Sequence, residues 1–400
     1  MKTKAIYSGS FDPVHDGHLD IIKRASQLFN LEVVVANNPS KKYALTLSQR
    51  LTLVTKVVEA NELPVRVSIM NSGLLVDYAQ LRGAPLIIKG VRGFADFDYE
   101  RALHEISVSQ QGGVQTVLMP GLSSLQHISS TAVKELTKLH GDLTHYTPMM
   151  VIAAMQRAVN KQRIIGVTGG IGVGKSTLCR HLVKYPLNYN ETIVHIDLDK
   201  LVADIYNDAC EPAIQDMLQQ LGEQLGMSRN AGDWSLDTLK RLIKERVFVK
   251  QDHNFQKYLS AQLMPFVLVK LREALTYSCN LPARSDDSRQ VVLLESALLC
   301  QEGLLHLCNN TVWHIIAPAD TTRIERVTSS RPLSREDVVS RIAVQWSDER
   351  IARYVQVSIN DDHYGSLSQL NGGQHIPTDD DPVSVSELKR DRLKELLSHI

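Results

Sequence analysis

The sequence predicts an α/β protein built of two doubly wound parallel-sheet domains, residues 1–160 and 161–400. Three observations carry this expectation. Short apolar, β-branched runs alternate with helix-like stretches, the pattern of strands joined by crossover helices. At 400 residues the chain is longer than one hydrophobic core ordinarily supports. A helix-like segment, "PMMVIAAMQRAVNKQ", closes a first series, and the alternation starts afresh at "RIIGVTGG".

Taken in order, "KAIYS", "LEVVVAN", "VRVSIM", "PLIIKGV" and "VQTVLMP" read as strands, each followed by a helix-like stretch. In the second half "RIIGVT" and "TIVHIDLDK" are strands, and an all-helical middle runs from "AIQDMLQQLG" through "LREALTY". "NLPARSDDSRQ" reads as a surface loop, and "GSLSQLNGGQHIPTDDDPVS" as a polar tether to a last helix, "VSELKRDRLKELLSH". No internal repeat is visible. In such sheets the active loops lie at the carboxyl ends of the strands.

Composition narrows the function. The 44 basic and 44 acidic residues balance, so neither a nucleic-acid stripe nor a membrane-binding face is expected, and any binding of anionic small molecules must be local. No run of eighteen apolar residues occurs and the chain enters a strand without a signal-peptide core, so a cytoplasmic protein is expected. The five cysteines, Cys179, Cys210, Cys279, Cys300 and Cys308, form no CxxC pair and read as reduced thiols. Cys300, His306 and Cys308 lie in "ALLCQEGLLHLC" at helical spacing, which reads as two buried thiols and a core histidine. Trp313 and Trp346 read as packing residues.

The strongest motif is "GGIGVGKS", which fits the phosphate loop G-x-x-x-x-G-K-S/T from Gly169 to Ser176, with a strand before it and the helix "STLCRHLVKY" after it. Backbone N–H groups from Gly169, Gly170, Ile171, Gly172, Val173 and Gly174 can turn onto phosphate oxygens of ATP, with Thr177 following in the helix. Lys175 reaches the β/γ-phosphates and Ser176 ligates Mg²⁺. Asp197 and Asp199 end the next strand two apart, so both project to one side; a carboxylate there holds Mg²⁺ or takes the acceptor's proton, unless one of the two caps the helix near Lys200. Arg323, Arg326, Arg331 and Arg335 surround a Pro/Ser turn and can close over a triphosphate, with a solvated helix face as the other reading of Arg323 and Arg326.

The opening "GSFDPVHDGH" sets His15 and His18 at a strand-to-helix turn, where Gly17 permits close approach and His18 can donate to a phosphate held at the helix N-terminus. Lys41 and Lys42 follow the second strand, and Lys89, Arg92 and Glu100 follow the fourth, so cations stand where two anions must meet. Ser129, Ser130 and Thr131 open a further helix with phosphate-holding hydroxyls.

Residues 163 to about 362 resemble dephospho-coenzyme A kinase, a P-loop kinase, through "GVTGGIGVGKST", "IDLD", a helix carrying "LMP" and "VVLLESALL". The resemblance implies Asp199 as general base, Asp197 and Glu295 in the acceptor pocket, Asp197 with Ser176 on Mg²⁺, and Arg331 on ATP. Met264 stands where the family often has His, "KLVAD" lacks an Arg after the second Asp, and the "LLES" strand lacks a proline. These departures leave open an ATP-binding regulatory module.

Residues 1 to about 158 carry the H-x-G-H pattern of a Rossmann-like nucleotidyltransferase superfamily. Within it they resemble phosphopantetheine adenylyltransferase, through "SFDP…GH", "PSKK", "KGVR…DFDYE" and "ISS…VKEL". The resemblance implies that Ser10, Lys41, Leu75 and Lys89 contact phosphopantetheine. It places Ser10, Phe11, His15, His18, Gly90, Val91, Arg92, Glu100 and the segment from Leu125 through Ser129 and Ser130 to Thr131 on ATP. Ser10 and His15 replace a usual Thr, and Lys89 a usual Arg, which weakens the expected hold on the pantetheine phosphate. Relatives of this half form hexamers, which implies a homo-oligomer built by the first domain. Joined, the halves imply the last two steps of coenzyme A synthesis. A nicotinamide mononucleotide adenylyltransferase fused to a ribosylnicotinamide kinase is the other enzyme reading, and "DFDYE" with "PSKK" speaks against it.

Overall fold

The computed structural model forms two compact units, Met1–Lys161 and Gln162–Ile400. It describes residues 2–110, 113–188, 191–208, 211–227, 235–281, 289–371, 376 and 383–398. Cys210, the loop 282–288 and most of the polar stretch after 371 lie outside the described residues.

The first unit holds five parallel strands: β1 (Lys4–Gly9), β2 (Asn30–Ala36), β3 (Arg66–Met70), β4 (Leu86–Val91) and β5 (Gln115–Pro120). The order is β3-β2-β1-β4-β5, with Tyr7 opposite Val33 on one side and Ile88 on the other. β-Branched residues make the central strands because both sheet faces are covered: Ile6, Val33, Val34, Val35 and Ile88 are sealed from solvent. The helices are α1 (Asp16–Leu28), α2 (Leu47–Ala60), α3 (Leu75–Leu81), α4 (Phe94–Ser109), α5 (Ser130–Lys138) and α6 (Met149–Met155). In α1, Leu19, Ile22 and Ser26 recur at helical spacing on the buried face. The chain winds outward from β1 through β2 to β3, then returns to place β4 on the other side of β1. That reversal opens a crevice at the carboxyl ends of β1 and β4.

The second unit orders β6 (Gln162–Thr168), β7 (Glu191–Asp197), β8 (Arg289–Glu295), β9 (Thr311–Ile316) and β10 (Ser366–Asn371) as β10-β9-β6-β8-β7, all parallel. Its helices are α7 (Lys175–Lys184), α8 (Leu198–Asn207), α9 (Pro212–Gln224), α10 (Leu236–Lys244), α11 (His253–Cys279), α12 (Asp320–Ser330), α13 (Arg335–Val344), α14 (Asp348–Asp362) and α15 (Val383–Ser398). Leu263, Val267, Leu271 and Leu275 form one stripe of α11 and pack into the larger core, with Met264 beside them. Both units are doubly wound parallel α/β sheets.

Two sequence expectations are corrected here. The stretch read as a polar tether begins with a strand, because β10 needs only main-chain pairing to β9 and one buried face, which Leu370 supplies. The "ALLCQEGLLHLC" run is not an α-helix: turns lead into a short 3₁₀ segment, Leu304–Cys308, bounded by left-handed Gly303 and Asn309. Cys300 and Cys308 are buried, but His306 is half-exposed with Nδ1 at the Gly303 carbonyl, so it is no core histidine. Trp313 is buried between sheet and helices, and Trp346 packs edge-on to Tyr354. Among the described residues, no helix is long and apolar enough to cross a membrane.

Candidate active sites

In the first unit the loop leaving β1 is wedged by Phe11, whose buried ring stands edge-on to Tyr7 and to His18. His15 is the residue before α1, and its carbonyl accepts the His18 and Leu19 N–H groups. The His15 and His18 rings stack with centroids 3.6 Å apart. A Cβ on Gly17 would stand 3.1 Å from the His15 ring, so a side chain there would require that ring to give by a few tenths of an ångström. The His15 N–H points at His18 Nδ1, 3.3 Å away, which leaves the proton of a neutral His18 on Nε2, free to donate. Burial, then the nearby Arg92 charge, pushes the His15 pKa down to about 3. Burial, His15 and Arg92 push His18 well below the usual histidine range, so both rings are neutral near pH 7.

Around this pair, Lys89 meets Glu100 at 3.4 Å where β4 ends at Gly90 and Val91. Arg92 pairs with Asp96 and donates to the Ile128 carbonyl, tying the end of β4 to the approach to α5. Ser129 caps α5 by accepting from Ala132 N–H, and Ser130 Oγ donates to the Pro13 carbonyl, which fastens the start of α5 to the loop after β1. The Leu125 carbonyl faces Gly17, while Thr131 and Lys41 are exposed and Ser10 is half-exposed. Leu75 packs half-buried against the Ile6–Val34 core. The spacing analysis missed Arg50. It is fully buried, donates to the Ser10 and Ala36 carbonyls at 2.7 and 3.0 Å, and clamps the carboxyl ends of β1 and β2. Its position on the apolar face of α2 with Leu53, Val54 and Val57 is the signal that could have found it.

In the second unit the phosphate loop leaves β6 at Gly169, whose φ of 134° suits glycine, and where a Cβ would run into the Ile315 carbonyl. Lys175 is buried, with Nζ donating to the Gly169 and Gly170 carbonyls at 2.9 Å each. Burial lowers its pKa, against the pull of Glu295 and Asp199. Ser176 Oγ donates to Glu295 Oε1 at 2.7 Å, and His195 Nε2 lies 2.8 Å from Glu295 Oε2. Burial alone would raise the Glu295 carboxyl, but the hydrogen bonds from His195 and Ser176 and the Lys175 charge outweigh it and hold the pKa low.

Asp197 and Asp199 do not share a strand face, because α8 begins at Leu198. Asp197 is the cap, with Oδ1 accepting from the Asp199 and Lys200 N–H groups. Asp199 stands in the first helical turn at the solvent-open mouth of the site. The protein around it still desolvates its carboxyl enough to raise the pKa, with Lys175 opposing. Register puts Glu295 directly between Asp197 and Val167, so Glu295 lies under the phosphate loop. Arg323 is neither lid nor solvated face: it is buried, donates to the Ile171 carbonyl, and pairs with Asp320. Gln345 accepts the Ile171 N–H and completes this brace. Arg331 is exposed with its charge near Lys175 and Asp199, and Arg326 and Arg335 are exposed. Ile171 and Val173 are buried beneath the loop, and Gly172, Gly174 and Thr177 are half-buried. Sequence reasoning missed His195, although it alternates by two with Asp197 along β7.

The dephospho-CoA kinase family model matches residues 163–365, just over half of the chain. This chain belongs to the dephospho-CoA kinase family. A cytidylyltransferase-like model matches residues 6–136. Over 155 residues the chain is 44% identical to the phosphopantetheine adenylyltransferase of Kocuria rhizophila, covering 38% of this chain and 97% of that protein. The phosphopantetheine adenylyltransferase of Haemophilus ducreyi is 36% identical over 163 residues, 40% of this chain and all of that protein. The first unit of this dephospho-CoA kinase family member thus belongs to the phosphopantetheine adenylyltransferases. The crystal structure of TT1252 from Thermus thermophilus aligns with 60% of this chain and 98% of its own at 25% identity and a TM-score of 0.40, too slight a likeness to bear on function.

Proposed function

We propose that the chain catalyses two successive ATP-dependent transfers: adenylylation of 4′-phosphopantetheine to dephospho-CoA, then phosphorylation of the ribose 3′-hydroxyl of dephospho-CoA. The observation that carries this is the pairing in one chain of two families of which the first makes what the second consumes.

In the first unit a phosphate oxygen of phosphopantetheine attacks the α-phosphorus of ATP and pyrophosphate leaves. His18 Nε2–H donates to the α-phosphate oxygens, a contact that strengthens as charge moves onto them. Being neutral, the two imidazoles add no fixed charge, so Lys41, Lys89 and Arg92 carry the neutralisation of the incoming anions. Ser10, Phe11, Gly90, Val91, Glu100 and the segment from Leu125 to Thr131 line the nucleotide, and Leu75 the pantetheine arm.

In the second unit ATP phosphates take over Lys175 Nζ from the Gly169 and Gly170 carbonyls that hold it. Asp199, whose raised carboxyl suits a proton acceptor at the open mouth, takes the 3′-hydroxyl proton. The hydroxyl of Ser176 and the carboxylates of Glu295 and Asp197 are hard oxygen donors of the kind Mg²⁺ takes, and they fit that ion. When bound, Mg²⁺ would supply neutralisation of the phosphate charge, held by these oxygens. Glu295 thereby moves from the acceptor pocket, where resemblance put it, to the metal side.

We place the reactions in the cytoplasm, where the described cysteines, Cys179, Cys279, Cys300 and Cys308, remain free thiols. A second copy of the chain covers α4, which buries no residue of its own and exposes Phe94, Tyr99 and Ile106. Light-scattering mass distinguishes that assembly from a monomer. The deciding experiment incubates the chain with 4′-phosphopantetheine, ATP and Mg²⁺ and follows products by mass spectrometry, with nicotinamide mononucleotide in parallel. CoA is the expected product. Dephospho-CoA accumulating alone would assign the second unit to regulation, and a nicotinamide dinucleotide in its place would overturn the reading.

A further inference from the structure

One side-chain cluster beside the phosphate loop is left partly unused by phosphoryl transfer. The Sγ of Cys179, a ring nitrogen of His195 and a carboxylate oxygen of Glu295 all lie within 4.8 Å of one another. Cys179 is fully buried one turn beyond Ser176 on α7, Glu295 is buried at the end of β8, and His195 is partly open to solvent on β7, giving an entry side. Three different elements of the sheet layer therefore converge a sulfur, a nitrogen and an oxygen donor on one point. We propose that this trio is a binding site for a thiophilic divalent transition-metal ion, Zn²⁺ foremost, and that its occupation switches off the kinase step.

The donor chemistry selects the ion. Mg²⁺ takes oxygen ligands, whereas a thiolate with an imidazole and a carboxylate is a zinc set. Bond lengths of roughly 2.0–2.3 Å around a tetrahedral ion put its ligand atoms roughly 3.3–3.8 Å apart. The trio reaches that shell when the His195–Glu295 contact of 2.8 Å opens and Cys179 closes in, movements of about 1 Å within single side chains. Burial first, then Glu295 and Asp197, hold the Cys179 thiol well above the ordinary thiol range, with Lys175 opposing, so its proton leaves only as an ion arrives. With the thiol proton released to water as the ion enters, the pocket carries about two negative charges, which a divalent ion balances. A water or a phosphate oxygen completes the shell. Inhibition follows from shared charge: an ion drawn onto Glu295 Oε2 takes carboxylate charge from the Ser176 side, where Mg²⁺ would be held, and two divalent cations repel one another across one carboxylate.

The inhibitory half of the proposal rests on the kinase reading; the binding half does not, and the test separates them. Full-length protein in Mg²⁺ buffer without nucleotide is titrated with Co²⁺ as an optical stand-in for Zn²⁺. A near-ultraviolet thiolate-to-cobalt charge-transfer band is expected at one equivalent, erased by Zn²⁺ and absent from Cys179→Ala and Cys179→Ser. No band, or a band that survives both substitutions, would overturn the site whatever the activity. The kinase step is then followed with Zn²⁺ added, using adenylyl transfer by the first unit in the same tube to register any loss of ATP to Zn²⁺. Wild-type kinase activity is expected to fall first, and each variant, measured against its own uninhibited rate, to need about tenfold more Zn²⁺ or higher. Equal sensitivity of wild type and variants would overturn the switch. Two substitutions are used because alanine leaves a gap in the core that serine largely fills, and the cobalt band of the wild type needs no variant to fold.

Discussion

In the first unit the loop after the central strand ends in two neutral imidazoles stacked on each other, whereas in the second the corresponding loop ends in a buried ammonium held by two carbonyls. Both loops leave a parallel five-stranded sheet at its carboxyl edge and run into a helix N-terminus. On the proposed reading the shared scaffold sets where phosphate is held, and the residues at the loop's end decide which phosphorus reacts. Adenylyl transfer brings two anions together, and the first unit offers it uncharged donors with the cations Lys41, Lys89 and Arg92 as proposed neutralisers. Phosphoryl transfer to a hydroxyl needs a proton acceptor as well, and its site carries Asp199 and the Ser176–Glu295–His195 chain. The carboxylates of the first unit stand instead as partners of cations, Glu100 on Lys89 and Asp96 on Arg92.

The sharpest way to break this comparison is to disable each loop alone. Lys175→Ala is expected to lower the kinase rate by a factor on the order of 10³ while dephospho-CoA still forms. His18→Ala is expected to lower adenylyl transfer by about 10²–10³ and leave phosphorylation of supplied dephospho-CoA intact. Separate assays of the two steps check both, and loss of both activities in either variant would mean that the sites do not work independently.

Acid should separate the units next. An unfolded histidine titrates near 6.5 and His15 in the folded unit at about 3, so between these values the unfolded chain binds the extra proton. The contribution is whole above pH 6.5 and is lost as pH falls, at about 1.4 kcal/mol per pH unit from this residue, with His18 adding in the same direction. The second unit's depressed carboxyls, Glu295 and Asp348 among them, lose their contributions only below the ordinary carboxylate range. Hydrogen exchange of peptides from β1 and α1, compared with tryptophan fluorescence from the second unit, which holds all three tryptophans of the chain, should show the first unit loosening between pH 6.5 and 5. His15→Thr should remove the share of that sensitivity that belongs to His15, while His18 and His140, both lowered by burial, keep theirs.

How far the sequence discloses these sites follows from how local each one is. The phosphate loop and the H-x-G-H turn are legible because their glycines, lysine and histidines act within a few residues of one strand-to-helix turn. Arg50 and Arg323 are not, because a charged residue on an apolar helix face gains meaning only when the carbonyls of Ser10 or Ile171 arrive from elsewhere in the fold. For the Asp197–Asp199 pair the sequence leaves two readings open, a shared strand face or a cap, and the helix start at Leu198 decides for the cap, with Asp197 in that place. β10 escaped notice since a serine-rich edge strand with one sealed leucine looks like a loop.

The finest distinction between the units concerns how each grips its anion. In the proposed reactions the second would enclose phosphate in backbone N–H groups and the first would rely on side-chain cations, and one of these, Lys89, is an ammonium already shared with Glu100 at 3.4 Å. A guanidinium at that position could keep the Glu100 contact with one edge and offer a two-pronged hydrogen bond to the pantetheine phosphate with the other. Lys89→Arg is therefore expected to lower the KM for 4′-phosphopantetheine about fivefold, roughly 1 kcal/mol, with kcat little changed and the kinase step untouched. A KM that does not move would mean that Lys89 serves Glu100 rather than substrate, and a change confined to kcat would place its charge on the α-phosphate in the transition state instead.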